Sequence, residues 1–162
     1  MMYNELKIIQ HMPVVKGAYF LPFHIDHAWR CDAIKEYRSE SITFEDRIRM
    51  LEVQSINGPT VSAFLGDEPV AVFGCMLLWT GVGEAWSLLS EKARRYPIAM
   101  TKSARIFFDQ CESIFNLHRL QITVNSNDKR AMGWAKTLGF VSEGLMLGYS
   151  ADKDDTHMMR RI

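Results

Sequence analysis

The sequence predicts a single domain of the α/β (α+β) class, which contains both helices and strands. We expect a mixed, mostly antiparallel twisted sheet of about six to seven strands, flanked by about four helices. Apolar residues alternate in some short segments and recur at helical spacing in others. Turn-forming residues separate these segments. Residues 1–162 contain no repeat, low-complexity tract or flexible linker, and a chain of this length suits one hydrophobic core.

The N-terminal third predicts one strand followed by two helices. Residues 6–12 are interpreted as the first strand, ended by Pro13, and residues 17–23 as an aromatic loop. Apolar residues at helical intervals then predict helices over residues 26–37 and 41–54.

The middle of the chain predicts three antiparallel strands and a long helix. Residues 61–65 and 70–79 flank a Gly-Asp-Glu-Pro turn, which is typical of a hairpin. Residues 84–89 follow a Gly-Val-Gly turn and are apolar enough for a central strand. Pro97 favours a helix start, and an apolar stripe continues that helix to Phe115.

Residues 119–140 change their hydrophobic period once, from strand spacing to helical spacing. Residues 125–128 lie at the change and supply a polar turn and the helix N-cap, while Gly139 stands where a left-handed C-cap is expected. Two further strands, residues 141–149 and 157–162, complete the predicted sheet across a charged turn.

Composition argues against several kinds of site and location. The chain has 19 basic and 19 acidic residues and a formal net charge of +0, so it gives no strong nucleic-acid signal. The three cysteines are far apart and indicate free thiols in a reducing, cytoplasmic setting.

The N-terminus lacks the apolar core of a signal peptide, and residues 70–79 are too short to span a bilayer. The five histidines have no zinc-site spacing, so no metal is predicted.

Residues 119–144 also carry a family resemblance. Their strand, Asn-containing turn, Ala-bearing helix and Leu-Gly-Phe ending resemble the C-terminal half of the GNAT N-acetyltransferase superfamily, and residues 81–115 resemble it more loosely. The resemblance implies one GNAT-like domain over residues 1–162, with acetyl-CoA as the cofactor. It also implies transfer of the acetyl group to a primary amine, on a small molecule or a protein, by direct attack in a ternary complex.

The resemblance further implies where the cofactor binds. In the family, a glycine-containing loop at a helix N-terminus holds the pyrophosphate, but residues 90–98 contain no glycine here. Arg94 and Arg95 would contact the phosphates by charge-assisted hydrogen bonds in place of the backbone amides. The alternative is that this loop is solvated and binds no phosphate. The implied cofactor-binding residues are Leu88, Leu89, Arg94, Arg95, Tyr96, Pro97, Ile98, Asn125 and Asn127. Helix capping is the alternative role for the two asparagines.

For the general base, the resemblance points to Glu84 at the start of the strand 84–89, where burial would raise the pKa of its carboxyl group. An exposed turn carboxylate is the alternative, and Glu143 is a weaker substitute. Many family members carry a tyrosine acid on the last helix, but the matching residue here is Ala135. Tyr149 is the candidate acid for the leaving thiolate, with Tyr96 as the second candidate and protonation by solvent as the alternative.

Other functions remain open at this point. The glycine-free loop, the missing tyrosine and the Leu-Gly-Phe ending also resemble the acetyltransferase-like proteins of tailed bacteriophages. That resemblance implies a catalytically degenerate assembly or interaction factor, with virion proteins as partners. A toxin-like transferase acting on aminoacyl-tRNA is disfavoured by the zero net charge. A homodimer is compatible with each of these functions.

Overall fold

The computed structural model describes residues 3–35 and 39–162, and that part of the chain contains seven strands and seven helical segments. In chain order these are α1 (Glu5–Ile9), β1 (Ala18–Pro22), α2 (Ile25–Arg30), α3 (Asp32–Lys35), α4 (Phe44–Ile56), β2 (Thr60–Leu65), β3 (Glu68–Trp79), β4 (Val82–Leu89), α5 (Glu91–Arg94), α6 (Pro97–Ile114), β5 (Arg119–Asn125), α7 (Lys129–Thr137), β6 (Phe140–Met146) and β7 (Thr156–Arg161).

The strands form one mixed sheet in the order β1-β2-β3-β4-β5-β7-β6. All neighbouring strands are antiparallel except β4 and β5, which are parallel. These two strands pair only from Val82 opposite Arg119 to Glu84 opposite Gln121. Beyond Glu84, β4 pairs only with β3, and β5 pairs only with β7. The sheet therefore opens between the carboxyl ends of β4 and β5.

Helices cover both faces of the sheet, and each face has its own core. On one face, α6 contributes Phe107 and Phe108, whose rings join Phe73 of β3 to Phe140 of β6 with centroid separations of 6.2, 6.0 and 5.7 Å. On the other face, helices α2–α4 cover Val72 of β3 and Leu88 of β4. Among residues 3–35 and 39–162, no helix has the length and apolar character needed to cross a membrane.

The first predicted strand is wrong, because residues 5–9 form α1. The buried residues of this segment are Glu5, Ile8 and Met12, a spacing of three and four that belongs to a helix. The predicted aromatic loop over residues 17–23 contains β1 instead. Because β1 is an edge strand, Pro22 can occupy it without removing a hydrogen bond from the interior of the sheet.

The predicted helix over residues 26–37 is divided into α2 and α3 at Cys31, which has extended backbone angles. The end of that prediction, including Tyr37, lies outside the described residues. The predicted strand 141–149 ends earlier, at Met146, and Gly148 then adopts a φ of 62°. A left-handed residue cannot continue a strand, so Tyr149 lies in the loop between β6 and β7.

The change of period in residues 119–140 is confirmed as β5, a turn and α7. Asp128 is the N-cap of α7, because its Oδ1 accepts a hydrogen bond from the Ala131 N–H at 3.0 Å. Gly139 follows the helix with a φ of 95°, as expected for a left-handed C-cap.

Candidate active site

A cavity of about 800 Å³ lies where β4 and β5 diverge. Residues of α4, β4, β5 and α7 line it. It brings together three of the predicted site residues, Glu84, Asn125 and Tyr149. The other predicted site residues lie outside its lining: Leu88, Leu89, Arg94, Arg95, Tyr96, Pro97, Ile98 and Asn127.

Glu84 is half-buried in the wall of the cavity, at the last position where β4 pairs with β5. Its Oε1 accepts a hydrogen bond of 2.9 Å from Nε2 of Gln121, the residue opposite it on β5. Its Oε2 accepts no hydrogen bond from the residues that the structure describes. A carboxylate held at one oxygen and open at the other is suited to accept a proton.

Glu143 is the weaker candidate base, and its surroundings do not suit that role. Its carboxylate forms two hydrogen bonds with Arg119, of 3.2 and 2.5 Å. These hydrogen bonds from Arg119 lower the pKa of Glu143. The charge of Glu143 is therefore committed to an ion pair on the exposed strand β6.

The two candidate acids lie in different places. Tyr149 is 56% exposed in the loop after β6, and it lines the same cavity as Glu84. Tyr96 is 49% exposed at the N-cap of α6, outside the cavity lining. Ala135, at the position where the family often carries a tyrosine, is buried and also lines the cavity.

The predicted phosphate loop contains a short helix, α5, in place of a glycine turn. Ser90 caps α5 by accepting a hydrogen bond from the Ala93 N–H at 3.1 Å. No described residue between 90 and 98 has a positive φ, so this path needs no glycine. The loop leads directly to α6, which begins at Pro97 and whose N-cap, Tyr96, makes no side-chain capping hydrogen bond.

Three cationic residues of this loop differ in their partners. Arg94 donates a hydrogen bond of 3.0 Å to Glu91, and Lys92 donates one of 2.5 Å to Glu68. Arg130 of α7 also donates a hydrogen bond to Glu91, at 3.1 Å. The hydrogen bond from Arg130 is the larger cause, and that from Arg94 the next, of a lowered pKa at Glu91. Arg95 is exposed and forms no ion pair with the described residues. Its charge is available to a ligand beside the start of α6.

Asn125 and Asn127 are engaged with the loop between β6 and β7. Their side-chain amides donate hydrogen bonds of 3.1 and 3.3 Å to the two oxygens of Asp154. The helix cap next to them is Asp128, so neither asparagine has the capping role that was their alternative. Both hold the loop that carries Tyr149.

The same loop is also bound from the other side of the cavity. Asp152 accepts hydrogen bonds of 2.9 and 2.8 Å from Oγ of Ser39 and one of 3.0 Å from the Ser41 N–H. The Ser39 and Ser41 hydrogen bonds lower the pKa of Asp152. Two sets of hydrogen bonds therefore hold the segment around Tyr149 next to the cavity.

Sequence reasoning missed the wall of the cavity that α4 and Trp86 provide. The Trp86 ring lies against Gly74, where a Cβ atom would come within 2.2 Å of the indole. The buried Trp86 Nε1 and Gln54 Oε1 have no hydrogen-bond partner among the described residues. No local pattern in the sequence marks these contacts, which join α4 to the sheet.

Metal-binding side chains do not converge here. Among residues 3–35 and 39–162, no group of three or more His, Cys, Asp and Glu residues is arranged to hold a metal ion. The polar groups of the cavity are instead carboxyl, amide, hydroxyl and phenol groups together with the guanidinium groups of Arg47 and Arg49, which are suited to proton transfer and hydrogen bonding.

No protein-family model matches the chain, and no curated protein sequence matches it. Solved structures match its fold. Ard1 from Thermoplasma volcanium has a TM-score of 0.74 at 14% identity, covering 90% of this chain and 97% of that one. RimL, a ribosomal L7/L12 alpha-N-protein acetyltransferase in complex with coenzyme A, has a TM-score of 0.71 at 14% identity, covering 93% and 97%. An acetyltransferase of the GNAT family from Bacillus anthracis has a TM-score of 0.67 at 13% identity, covering 90% and 95%. The chain therefore has the fold of GNAT acetyltransferases.

Proposed function

We propose that the protein is an N-acetyltransferase that transfers the acetyl group of acetyl-CoA to a primary amine by direct attack in a ternary complex. One observation carries this proposal. The half-buried Glu84 carboxylate lines an 800 Å³ cavity at the divergence of β4 and β5, with one oxygen free of hydrogen bonds among the described residues. An amine bound in this cavity would meet a proton acceptor.

The residues present fit acetyl-CoA at the start of α6. The N-terminal turn of this helix has no side-chain cap, and Arg95 is beside it, so backbone N–H groups and a cation are available for phosphate. When bound, the cofactor supplies an activated acetyl group as a thioester. The proposed contacts remain the predicted set of Leu88, Leu89, Arg94, Arg95, Tyr96, Pro97, Ile98, Asn125 and Asn127.

Each catalytic residue has a defined proton to move. Glu84 accepts a proton from the ammonium group of the acceptor, which leaves the nitrogen lone pair free to form the new C–N bond. The phenol of Tyr149 would donate a proton to the thiolate that leaves as the C–S bond breaks, and the resulting phenolate would take up the second proton that the nitrogen loses when the amide forms. Residues of α4 and Trp86 form the wall of the cavity that Glu84 and Tyr149 share.

The acceptor that we propose is an amine on a small molecule or on a protein. RimL, one of the structural neighbours, is described as an alpha-N-protein acetyltransferase, and that activity is compatible with an amine acceptor here. We propose a cytoplasmic location, since all three cysteines are free and buried.

The transferase is a better interpretation than an assembly or interaction factor. That alternative, with its phage virion partners, rests on the glycine-free phosphate loop, the missing tyrosine at Ala135 and the Leu-Gly-Phe ending. Because the loop forms α5 and needs no positive φ, the missing glycine does not by itself argue against cofactor binding.

Calorimetric titration with acetyl-CoA tests the cofactor. We expect saturable binding below millimolar concentration, and no binding at millimolar acetyl-CoA would overturn the proposed function. Transfer is then measured by release of free coenzyme A in the presence of amines.

Glu84→Gln tests the base. We expect kcat to fall by about a hundredfold or more, because a carboxamide does not accept the proton at neutral pH. Glu52→Gln is the matched control on the exposed side of α4, and its kcat should equal that of the wild type. Full turnover by Glu84→Gln would show that another residue acts as the base.

A further inference from the structure

A chain of hydrogen bonds runs from Glu84 across the sheet to β6. Gln121 Nε2 donates to Glu84 Oε1 at 2.9 Å, and Gln121 Oε1 accepts from Arg119 Nε at 2.7 Å. Arg119 in turn donates both of its terminal nitrogens to Glu143. The strand register supports this chain, since Glu84 and Gln121 are directly opposite on β4 and β5.

The chemistry of these groups fixes the direction of every bond. A guanidinium group can only donate, so the side-chain oxygen of Gln121 must face Arg119. The amide nitrogen of Gln121 must then face Glu84, and Glu84 Oε1 must accept. The donor-only guanidinium and the acceptor-only carboxylate therefore require the same orientation of the Gln121 amide.

The network also places a neutral group against the carboxylate. Arg119 is held in a two-point ion pair by Glu143, and Gln121 separates it from Glu84. Glu84 thus receives a hydrogen bond that fixes its rotamer without forming an ion pair of its own. Its second oxygen, Oε2, is left without a hydrogen bond from the described residues.

We infer that Gln121 and Arg119 are positioning residues, which hold Glu84 Oε1 as a permanent acceptor so that Oε2 receives the proton of the acceptor amine. The inference rests on the proposed function, in which Glu84 is the base. Gln121 touches Glu84 and acts through it, and Arg119 acts through Gln121.

Gln121→Met tests the first of these residues, because methionine keeps the length of the side chain and lacks the donor. We expect kcat to fall about tenfold or more, the range for a hydrogen bond to a charged group, with the KM for acetyl-CoA unchanged. The double variant Glu84→Gln/Gln121→Met should be no slower than Glu84→Gln alone, because Gln121 acts only through Glu84. Wild-type kcat in Gln121→Met, or additive losses in the double variant, would overturn the inference.

Arg119 is tested by a conservative pair. Arg119→Lys keeps a donor for Gln121 Oε1 and should retain most of the turnover, whereas Arg119→Met should lose it as Gln121→Met does. Arg160→Met is the matched control, since Arg160 approaches Glu143 only at 4.0 Å. Equal kcat values for the lysine and methionine variants at position 119 would count against the role of Arg119.

A readout independent of turnover separates this inference from the proposed function. In ¹⁵N NMR spectra, the Gln121 side-chain amide signals should move in Glu84→Leu and stay in place in Arg160→Met. Signals that do not respond to Glu84→Leu would overturn the inference whatever the activity. A response in a protein that transfers no acetyl group would contradict the proposed function and leave the placement of Glu84 intact.

Discussion

The adjacent residues Arg94 and Arg95, in the loop before α6, differ in their ion-pair partners. Arg94 binds Glu91 at 3.0 Å, while Arg95 is exposed and has no ion-pair partner among the described residues. An arginine that already forms an ion pair contributes less to the free energy of phosphate binding, because the existing ion pair must be broken or shared. The neighbours of each residue, and not its type, therefore decide which arginine is the better candidate for a contact with the proposed cofactor.

Arg95→Ala should weaken acetyl-CoA binding. Removal of one charge-assisted contact to phosphate should raise Kd about tenfold, measured by calorimetry at low ionic strength. Added salt should reduce the difference, because it screens an exposed charge. Arg94→Ala is the matched control with a smaller expected effect, and equal losses for the two variants would contradict the assignment.

His27 predicts a pH dependence of stability. Burial, with smaller contributions from His24 and Arg30, lowers the pKa of His27 below its ordinary value of 6.5, against an opposing contribution from Asp26. The unfolded chain then binds more protons at His27 than the folded chain over the interval from the folded pKa up to 6.5. The contribution of His27 is thus fully present above pH 6.5 and is lost as the pH falls through that interval.

The measurement is the free energy of unfolding in urea from about pH 7.5 to about pH 5, the range in which a histidine titrates. His27→Gln should flatten the decline below pH 6.5 relative to the wild type. His11→Gln, an exposed histidine, should leave the slope unchanged. A wild-type slope in His27→Gln would show that another group causes the decline.

Some residues of the site can be predicted from local sequence and others cannot. The capping role of Asp128 and the left-handed Gly139 follow from neighbours a few residues away. The partner of Glu84 is Gln121, 37 residues further along the chain, and no periodic pattern gives the register between two parallel strands. The hydrogen bond of Asn125 to Asp154 is hidden from the sequence for the same reason.

At the scale of elements, α7 connects helix α6 to the cavity. Its N-cap is Asp128, which lines the cavity, and Ala135 presents a small buried side chain to it. The Trp134 Nε1 donates to Thr101 Oγ1 at 2.9 Å, which ties α7 to α6. The position of α7 therefore affects both the cavity and the helix whose N-terminus faces the proposed phosphate site.

Asp128→Ala should destabilise α7 and hence the fold. Loss of the capping hydrogen bond to the Ala131 N–H costs about 1 kcal/mol, which corresponds to roughly 2–4 °C in Tm for a domain of this size. Asp128→Asn keeps an oxygen acceptor at the cap and should recover most of the loss. Thermal unfolding measures both variants, and equal Tm values for alanine and aspartate at this position would contradict the capping role.

The elements that sequence reasoning misassigned are those at the edge of the molecule. Residues 6–12 satisfy a short strand pattern and a short helix pattern equally well, and only contact with the sheet decides for α1. The segment containing β1 looks like a loop because Pro22 and aromatic residues fill it, yet an edge strand tolerates proline. The central elements, buried on both faces, had patterns long enough to predict.

At the scale of the whole molecule, the open cleft depends on a rigid core beneath it. The rings of Phe73, Phe107, Phe108 and Phe140 form a continuous aromatic row that crosses the opening between β4 and β5 on the α6 face. Where the two strands no longer share hydrogen bonds, this row and the helices packed on it hold the two halves of the sheet together. Where β4 and β5 diverge to form the cavity, they share no backbone hydrogen bonds. Side-chain packing in the aromatic row therefore supplies part of the stabilisation there.

Phe107→Ala tests this dependence. Phe107 is fully buried and contacts both Phe73 and Phe108, so its truncation should cost about 3–5 kcal/mol and lower Tm by roughly 6–20 °C. Trp79→Ala is the matched control, since Trp79 is 69% exposed at the end of β3 and its removal should change Tm little. Phe107→Leu should fall between the two, because leucine refills most of the cavity. Similar Tm values for Phe107→Ala and Trp79→Ala would show that the aromatic row does not join the halves of the sheet.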